Sequence, residues 1–359
     1  MELAMKPMEP RAELRRRFVE TTEWKGGPID TLAADASFRS YYRVEGSPSA
    51  VLMDAPPPHE DVRPFMALTG YLRGLGLSAP EIYAADIDGG FLLLEDMGDV
   101  RVSRRLISHG DEEYRLYEQA IDILAHLQAA GPVTHLPVAG AEPYELSPYD
   151  MEPLEREVAL LPDWFVARGI GTPLDAAARA QYMDLWRPLL EEVAASRSCV
   201  VLRDYHVDNL MCLPGRPHIK GLGLLDYQDA LLGDPAYDLV SLLEDARRDV
   251  PKPLRAAMLD HYLAVSGTAD RAMLTRRFDI LGAQRNAKII GIFARLSRRD
   301  GKHGYLEMIP RVWALLEEDL DRLGASGLIA WLNDHAPPEW RRRPLPVPAT
   351  EKEQLWPPG

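Results

Sequence analysis

Apolar residues recur along this chain with two periods, and the change from one to the other falls near Gly98. Leu14 and Phe18, four apart, predict a short helix over 12–20. Ser40-Tyr41-Tyr42-Arg43-Val44 and Ala50-Val51-Leu52-Met53 read as strands, joined by the hairpin-like Glu45-Gly46-Ser47-Pro48-Ser49. Pro56-Pro57-Pro58 breaks the chain. Val62, Phe65, Met66, Leu68 and Leu72 then predict an amphipathic helix over 60–73, Pro64 notwithstanding. Ile82–Ala85 and Phe91–Glu95 give two more strands around Asp88-Gly89-Gly90. Beyond Gly98 the period is helical. One helix carries Tyr114, Tyr117, Ile121, Leu124 and Gln128, and another Met151, Leu154, Val158 and Leu161. Further helices are predicted over 176–195, 253–265, 273–298 and 305–323. Strand-like pieces at 199–202, 209–213 and 222–227 interrupt them.

This pattern predicts an α+β protein of two lobes. A small β-rich lobe takes residues 1–98 and a large, mainly helical lobe 99–336, followed by a Pro- and charge-rich irregular tail over 337–359. At 359 residues the chain is too long for one small core. Its 41 basic against 55 acidic residues leave a net charge of −14, which argues against nucleic acid or an anionic membrane as partner. No apolar run is long enough to span a bilayer. Cys199 and Cys212 lack the spacing of a metal site and read as free thiols of a cytoplasmic protein.

The chemistry concentrates in Leu202-Arg203-Asp204-Tyr205-His206-Val207-Asp208-Asn209 and Leu224-Leu225-Asp226-Tyr227-Gln228. Asp-x₄-Asn alone is often no more than an Asx-rich turn. Here apolar runs flank it, and a second run delivers Asp226 seventeen residues after Asn209. A β-hairpin would bring the three side chains together. Phosphoryl transfer needs one carboxylate to orient the acceptor hydroxyl and hard oxygen ligands to hold Mg²⁺ on the nucleotide phosphates. Asp204 fits the first role, Asn209 and Asp226 the second.

With these residues the chain resembles the aminoglycoside-phosphotransferase and choline-kinase-like family, distant relatives of protein kinases. The resemblance spans most of 30–320 and rests on Arg203-Asp204…Asn209, Leu225-Asp226-Tyr227-Gln228-Asp229 and Gly233-Asp234-Pro235-Ala236-Tyr237-Asp238-Leu239. It implies a bilobal protein-kinase-like fold, with ATP and Mg²⁺ as cofactors, Asp204 as base and Asn209 and Asp226 on the metal. Asp238 would brace the catalytic loop through backbone N–H groups, and Asp234 would cap the following helix. Two positions depart from the pattern. Leu202 stands where the family carries His, and Met53 stands where the phosphate-binding Lys of the third strand is expected. Arg39 and Arg43 are the candidates to replace that Lys; ordinary exposed strand charge would explain them as well. Asp35-Ala36-Ser37-Phe38-Arg39-Ser40 takes the place of the phosphate-covering turn, where Ala36 and Ser37 allow close backbone approach. Leu93-Leu94-Glu95-Asp96-Met97-Gly98-Asp99 matches the hinge, whose backbone near Glu95 and Met97 would bind the adenine edge.

The acceptor belongs to the helical lobe. On the helix through Gly282–Leu296, Arg285, Lys288 and Ile292 share one face, as do Gln284, Lys288 and Arg295. Such cations are either solvated charge or recognise an anionic acceptor. This stretch resembles the anomeric amino-sugar kinases of cell-wall recycling, which act on N-acetylmuramate and N-acetylglucosamine; so do Leu-Leu-Glu-Asp-Met-Gly-Asp and Arg298-Arg299-Asp300-Gly301-Lys302. The resemblance implies a small-molecule amino-sugar partner and a sugar 1-phosphate product; Lys288, Arg285 or Arg295 could meet the lactyl carboxylate of muramate, His206 either touches the acceptor or packs on the loop, and the expected state is a monomer. Trp164-Phe165 could stack on a sugar, with core packing as the alternative. The rival readings are an aminoglycoside, choline or homoserine kinase on the same fold, and a non-catalytic pseudokinase.

Overall fold

The computed structural model describes residues 11–34, 38–268 and 270–347, so Ala36 and Ser37 lie outside the described residues. The elements are α1 (Arg11–Glu20), β1 (Ile29–Ala34), β2 (Ser40–Val44), β3 (Ala50–Asp54), α2 (Arg63–Gly74), β4 (Ile82–Asp86) and β5 (Phe91–Glu95). Then follow α3 (Val102–Ser108), α4 (Glu113–Ala129), β6 (His135–Leu136), β7 (Tyr144–Glu145) and α5 (Met151–Val158). A π-helix (Leu161–Ile170) leads to α6 (Ala176–Ala194), β8 (Cys199–Val201), β9 (Leu210–Cys212), β10 (Leu222–Leu224) and β11 (Leu231–Gly233). The chain ends in α7 (Ala236–Leu243), α8 (Lys252–Ser266), α9 (Arg271–Asp300), α10 (Ile309–Leu323), α11 (Ser326–His335) and α12 (Pro338–Arg341). Two compact units result. One combines Met1–Glu113, Thr134–Leu146 and Val207–Asp229; the other combines Tyr114–Val133, Ser147–His206 and Ala230–Gly359.

The first unit is built on an antiparallel sheet of order β1-β2-β3-β5-β4. Val44, Ala50, Leu52, Phe91 and Leu93 turn to one face, where Phe18 and Val19 of α1 cover them. Side chains alternate along a strand. Tyr41 and Arg43, paired with Met53 and Val51, therefore lie on the opposite face. α2 starts at Arg63, which puts Pro64 in the first turn, where its missing N–H has no helical partner to lose. β1 has no periodic apolar signal. It is an edge strand with an irregularity between Thr31 and Ala33, held by pairing with β2. The β9–β10 hairpin also belongs to this unit.

In the second unit α9 is buried along most of its thirty residues, with α5, α7, α10 and the π-helix packed on it. Gly291 permits this: a Cβ there would stand 2.3 Å from the backbone carbon of Leu160. β8 pairs with β11. Residues 337–347 are more ordered than their Pro- and Arg-rich composition suggests. Arg341 is buried over Trp313, bonded to Glu317 at 2.8 Å and Asn333 at 2.9 Å, and Leu345 is buried as well. An Arg run reads as solvated until its carboxylate partner is known.

Candidate active site

In the first unit, β9 and β10 pair through Cys212–Leu222 and Leu210–Leu224 and carry Asn209 and Asp226 at the same end. The Leu225 amide donates to the Asn209 carbonyl at 3.0 Å, which closes the hairpin beyond its last strand pair. The Asn209 amide nitrogen then lies 3.4 Å from an Asp226 carboxylate oxygen, and Gln228 donates to the other oxygen at 2.8 Å. Asp226 has φ of 58°, a left-handed conformation uncommon for a residue with a Cβ and typical of sites where a side chain must be aimed. A half-turn of the Asn209 amide would present its oxygen beside the carboxylate. Such a pair of hard oxygens suits Mg²⁺, which commonly takes one or two protein ligands and completes its shell with water and phosphate. Among the described residues no cluster of three His, Cys, Asp or Glu forms an all-protein metal cage. The donor set therefore fits a metal shared with a polyphosphate.

Arg39 and Arg43 lie on the sheet face of Met53 but differ in their partners. Arg43 donates to Asp96 at 2.7 Å and to Asp99 at 2.7 Å, so it ties the strand to the hinge segment. Arg39 is 9% exposed, 3.8 Å from Asp226 and 3.8 Å from Glu60. Of the two, Arg39 is the cation beside the metal-type carboxylate. The hinge itself is uneven. The amide of Glu95 is used by the Glu81 carbonyl at 2.7 Å, and its side chain is paired with Arg216. Met97 packs with Met211, Leu213 and Leu225 into an apolar patch. Gly223 leaves room for it, since a Cβ there would come within 2.6 Å of the Met97 sulfur. An apolar floor beside a hinge strand suits an adenine ring.

The second unit holds Asp204 on the loop that follows β8. Asp238 on α7 accepts from the amides of Leu202 at 2.7 Å and Arg203 at 2.9 Å, the bracing role anticipated for it. Burial pushes the Asp238 carboxyl up to about 7, against the pull of these two amides. Arg203 has φ of 70°. With its backbone so turned, its side chain reaches back 2.5 Å to Glu157. Asp234 accepts from the Ala236 amide at 3.0 Å and pairs with Arg277 at 2.6 Å, next to Pro235 at the cap position of α7. Asp204 is half-buried. Burial works to raise its pKa, but Lys288, Arg285, His206 and Arg203 together hold it below the ordinary carboxylate value.

These cations are themselves organised. Lys288 lies 3.0 Å from Glu157 and 3.1 Å from the Tyr237 hydroxyl. Arg285, 4% exposed, donates to Ser241, which donates to the Arg203 carbonyl. Arg285 thus acts on Asp204 through its field and through the loop. His206 is also buried. Phe165 packs in the core against Trp313, whereas Trp164 is half-buried with Arg168 stacked on its ring. Sequence reasoning missed Glu60 and Glu157. Glu157 accepts from Gln284 and the Tyr149 hydroxyl as well as from its two cations. The one signal was its place beside Val158 on the buried stripe of α5, where an acid requires a cation from elsewhere in the chain.

Comparison with known proteins gives the family and the fold. The model of the phosphotransferase enzyme family matches residues 29–274. An N-acetylmuramate/N-acetylglucosamine kinase of Caulobacter vibrioides is 37% identical over 87% of this chain and 93% of its own. One of Pseudomonas aeruginosa is 38% identical over 81% of this chain and 83% of its own. Among solved structures, an ADP-bound aminoglycoside phosphotransferase matches with a TM-score of 0.54 at 13% identity, over 88% of this chain and 99% of that one. Plasmodium vivax ethanolamine kinase matches with a TM-score of 0.55 at 14% identity, over 85% and 82%. The protein-kinase-like α+β fold expected from the sequence is thereby established. No described helix is long and apolar enough to cross a membrane.

Proposed function

The chain belongs to the phosphotransferase enzyme family, and from that premise we propose that it transfers the γ-phosphoryl group of ATP to the anomeric C1 hydroxyl of N-acetylmuramate or N-acetylglucosamine. The observation that carries the phosphoryl-transfer part is Asp204: a half-buried carboxylate kept ionised by surrounding cations, on a loop braced by Asp238. The choice of sugar rests on the activity for which the two bacterial relatives are named, and their similarity spans most of this chain.

In this reading Asp204 orients the anomeric hydroxyl and receives its proton as the bond to phosphorus forms. A carboxylate held below its ordinary pKa is a weak base, which suits a loose transition state in which little proton transfer precedes bond making. An anomeric hydroxyl is also more acidic than an ordinary alcohol. Asn209 and Asp226 would hold Mg²⁺, which supplies charge neutralisation at the β and γ phosphates. Arg39 takes over the phosphate contact of the absent third-strand Lys, steadied by Glu60 as kinases steady that Lys with a Glu. Met97 offers the adenine site its side chain and backbone.

The test is purified protein with Mg·ATP and, separately, N-acetylmuramate, N-acetylglucosamine, choline and kanamycin, followed by ³¹P NMR. A sugar 1-phosphate resonance that disappears with Asp204→Ala is expected. Turnover confined to choline or kanamycin would keep the fold and discard the sugar. Nucleotide binding with no turnover of any acceptor would turn the reading to a pseudokinase.

A further inference from the structure

Between Phe278 and Ser297, α9 is buried at every position except Lys288, Ile292 and Arg295. Spacings of four and three residues put these on one line along the helix. A helix that is otherwise interior therefore has one solvent-reachable stripe. The stripe begins at Lys288, the first of the cations acting on Asp204. It ends two turns later at Arg295, about 10 Å along the axis.

The two ends differ in their partners. Lys288 is committed to Glu157 and Tyr237. Arg295 has no ion pair or hydrogen bond among the described residues, and its Nε is buried without a partner. Burial lowers its pKa, Arg299 adds to that, and Asp300 acts on it only from beyond ion-pair distance. A partly desolvated guanidinium without an anion is costly to keep. Its planar fork matches a carboxylate in a bidentate pair. The groups assigned to the nucleotide, Arg39, Asn209, Asp226 and Met97, all belong to the other unit. Arg295 shares its unit with Asp204, the residue proposed to orient the acceptor hydroxyl.

N-acetylmuramate and N-acetylglucosamine differ by one lactyl ether, which carries a carboxylate on an arm away from the anomeric hydroxyl. We propose that Arg295 receives this carboxylate and is the residue that separates acidic from neutral amino sugars at the acceptor site. The proposal rests on the amino-sugar reading above and adds the group that sets its specificity.

The experiment measures kcat and KM for both sugars with the wild type, Arg295→Gln and Arg295→Lys, and adds the methyl ester of N-acetylmuramate with the wild type. In Arg295→Gln the KM for N-acetylmuramate should rise roughly 10- to 100-fold, as for loss of a charged hydrogen-bonded pair, with kcat little changed. N-acetylglucosamine should stay within about twofold, which also shows that the variant is folded. Arg295→Lys should recover part of the loss. The ester, measured on the intact protein, should behave like the neutral sugar. An equal loss on both sugars, an unchanged KM for N-acetylmuramate, or an ester bound as well as the acid would each overturn the role of Arg295 while leaving the sugar kinase in place. A wild type that phosphorylates neither sugar would overturn both.

Discussion

Glu157 is paired with two of the cations around the base, Arg203 and Lys288, and replacing it with Gln tests whether that balance holds the second unit together. The side chain is almost wholly buried. Burial alone would raise its pKa, but Lys288 and Arg203, with hydrogen bonds from Tyr149 and Gln284, bring it from an ordinary 4.5 down to about 2. The folded state therefore favours the ionised form, and that preference is worth about 3 kcal/mol at neutral pH. Such a contribution is complete above the unfolded value of 4.5 and is lost as the pH falls through the folded value near 2. Glu157→Gln keeps the shape and most of the hydrogen bonds but removes the charge. Its urea midpoint at pH 7 should fall by about 1 M, taking a slope of about 3 kcal/mol per molar. At pH 3 the deficit against wild type should shrink to roughly 1.5 kcal/mol. A deficit of the same size at pH 7 and pH 3 would refute the argument, because it would belong to packing or hydrogen bonding. No deficit at pH 7 would show that Lys288 and Arg203 find other compensation.

Three further outcomes are expected. Arg39→Ala should lower kcat/KM for ATP by about 100-fold, and adding Met53→Lys should restore part of it, since both positions face the same side of the sheet; steady-state kinetics at saturating sugar decides. Asp238→Ala leaves the Leu202 and Arg203 amides without their acceptor, so kcat should fall by about 10-fold or more while the affinity for ATP, read by equilibrium titration, stays the same. Gly223→Ala crowds the Met97 sulfur and should raise the KM for ATP about threefold to tenfold with the KM for sugar unchanged, the flexible thioether absorbing part of the clash.

The fold was legible where the period was long and clean. The apolar stripes of α4, α6, α9 and α10 were, and so were β2, β3 and β5, whose β-branched and aromatic runs sit between turn residues. β1 was not, because Ile29-Asp30-Thr31-Leu32-Ala33-Ala34 carries little pattern of its own and becomes a strand through its neighbour. Of the candidate site, the pairing of Asn209 with Asp226 was legible, because the apolar runs beside them form the β9–β10 hairpin; the expectation that this hairpin also gathers Asp204 was not met, since Asp204 belongs to the other unit. The choice between Arg39 and Arg43 was not legible. The two share a sheet face, and what separates them is whether Asp226 and Glu60 or Asp96 and Asp99 lie opposite. Partners so distant in sequence leave no trace in a local pattern. Glu157 shows the same limit.

The charge of the whole chain and the charge of the site point in opposite directions. At −14 the protein as a whole repels ATP and an acidic sugar at long range. That repulsion is screened beyond about 8 Å at physiological ionic strength. Inside that distance the local cations count: Arg39 beside Asp226 in one unit, and Lys288, Arg285 and Arg203 around Asp204 in the other. Long-range attraction therefore would not gather the anions; in the proposed reaction that falls to a few partly desolvated groups, where each charge counts for more than it would in water. The same arrangement explains why Asp204 is ionised despite being half-buried: Lys288, Arg285, His206 and Arg203 lower its pKa, while Lys288 and Arg203 are themselves paired with Glu157.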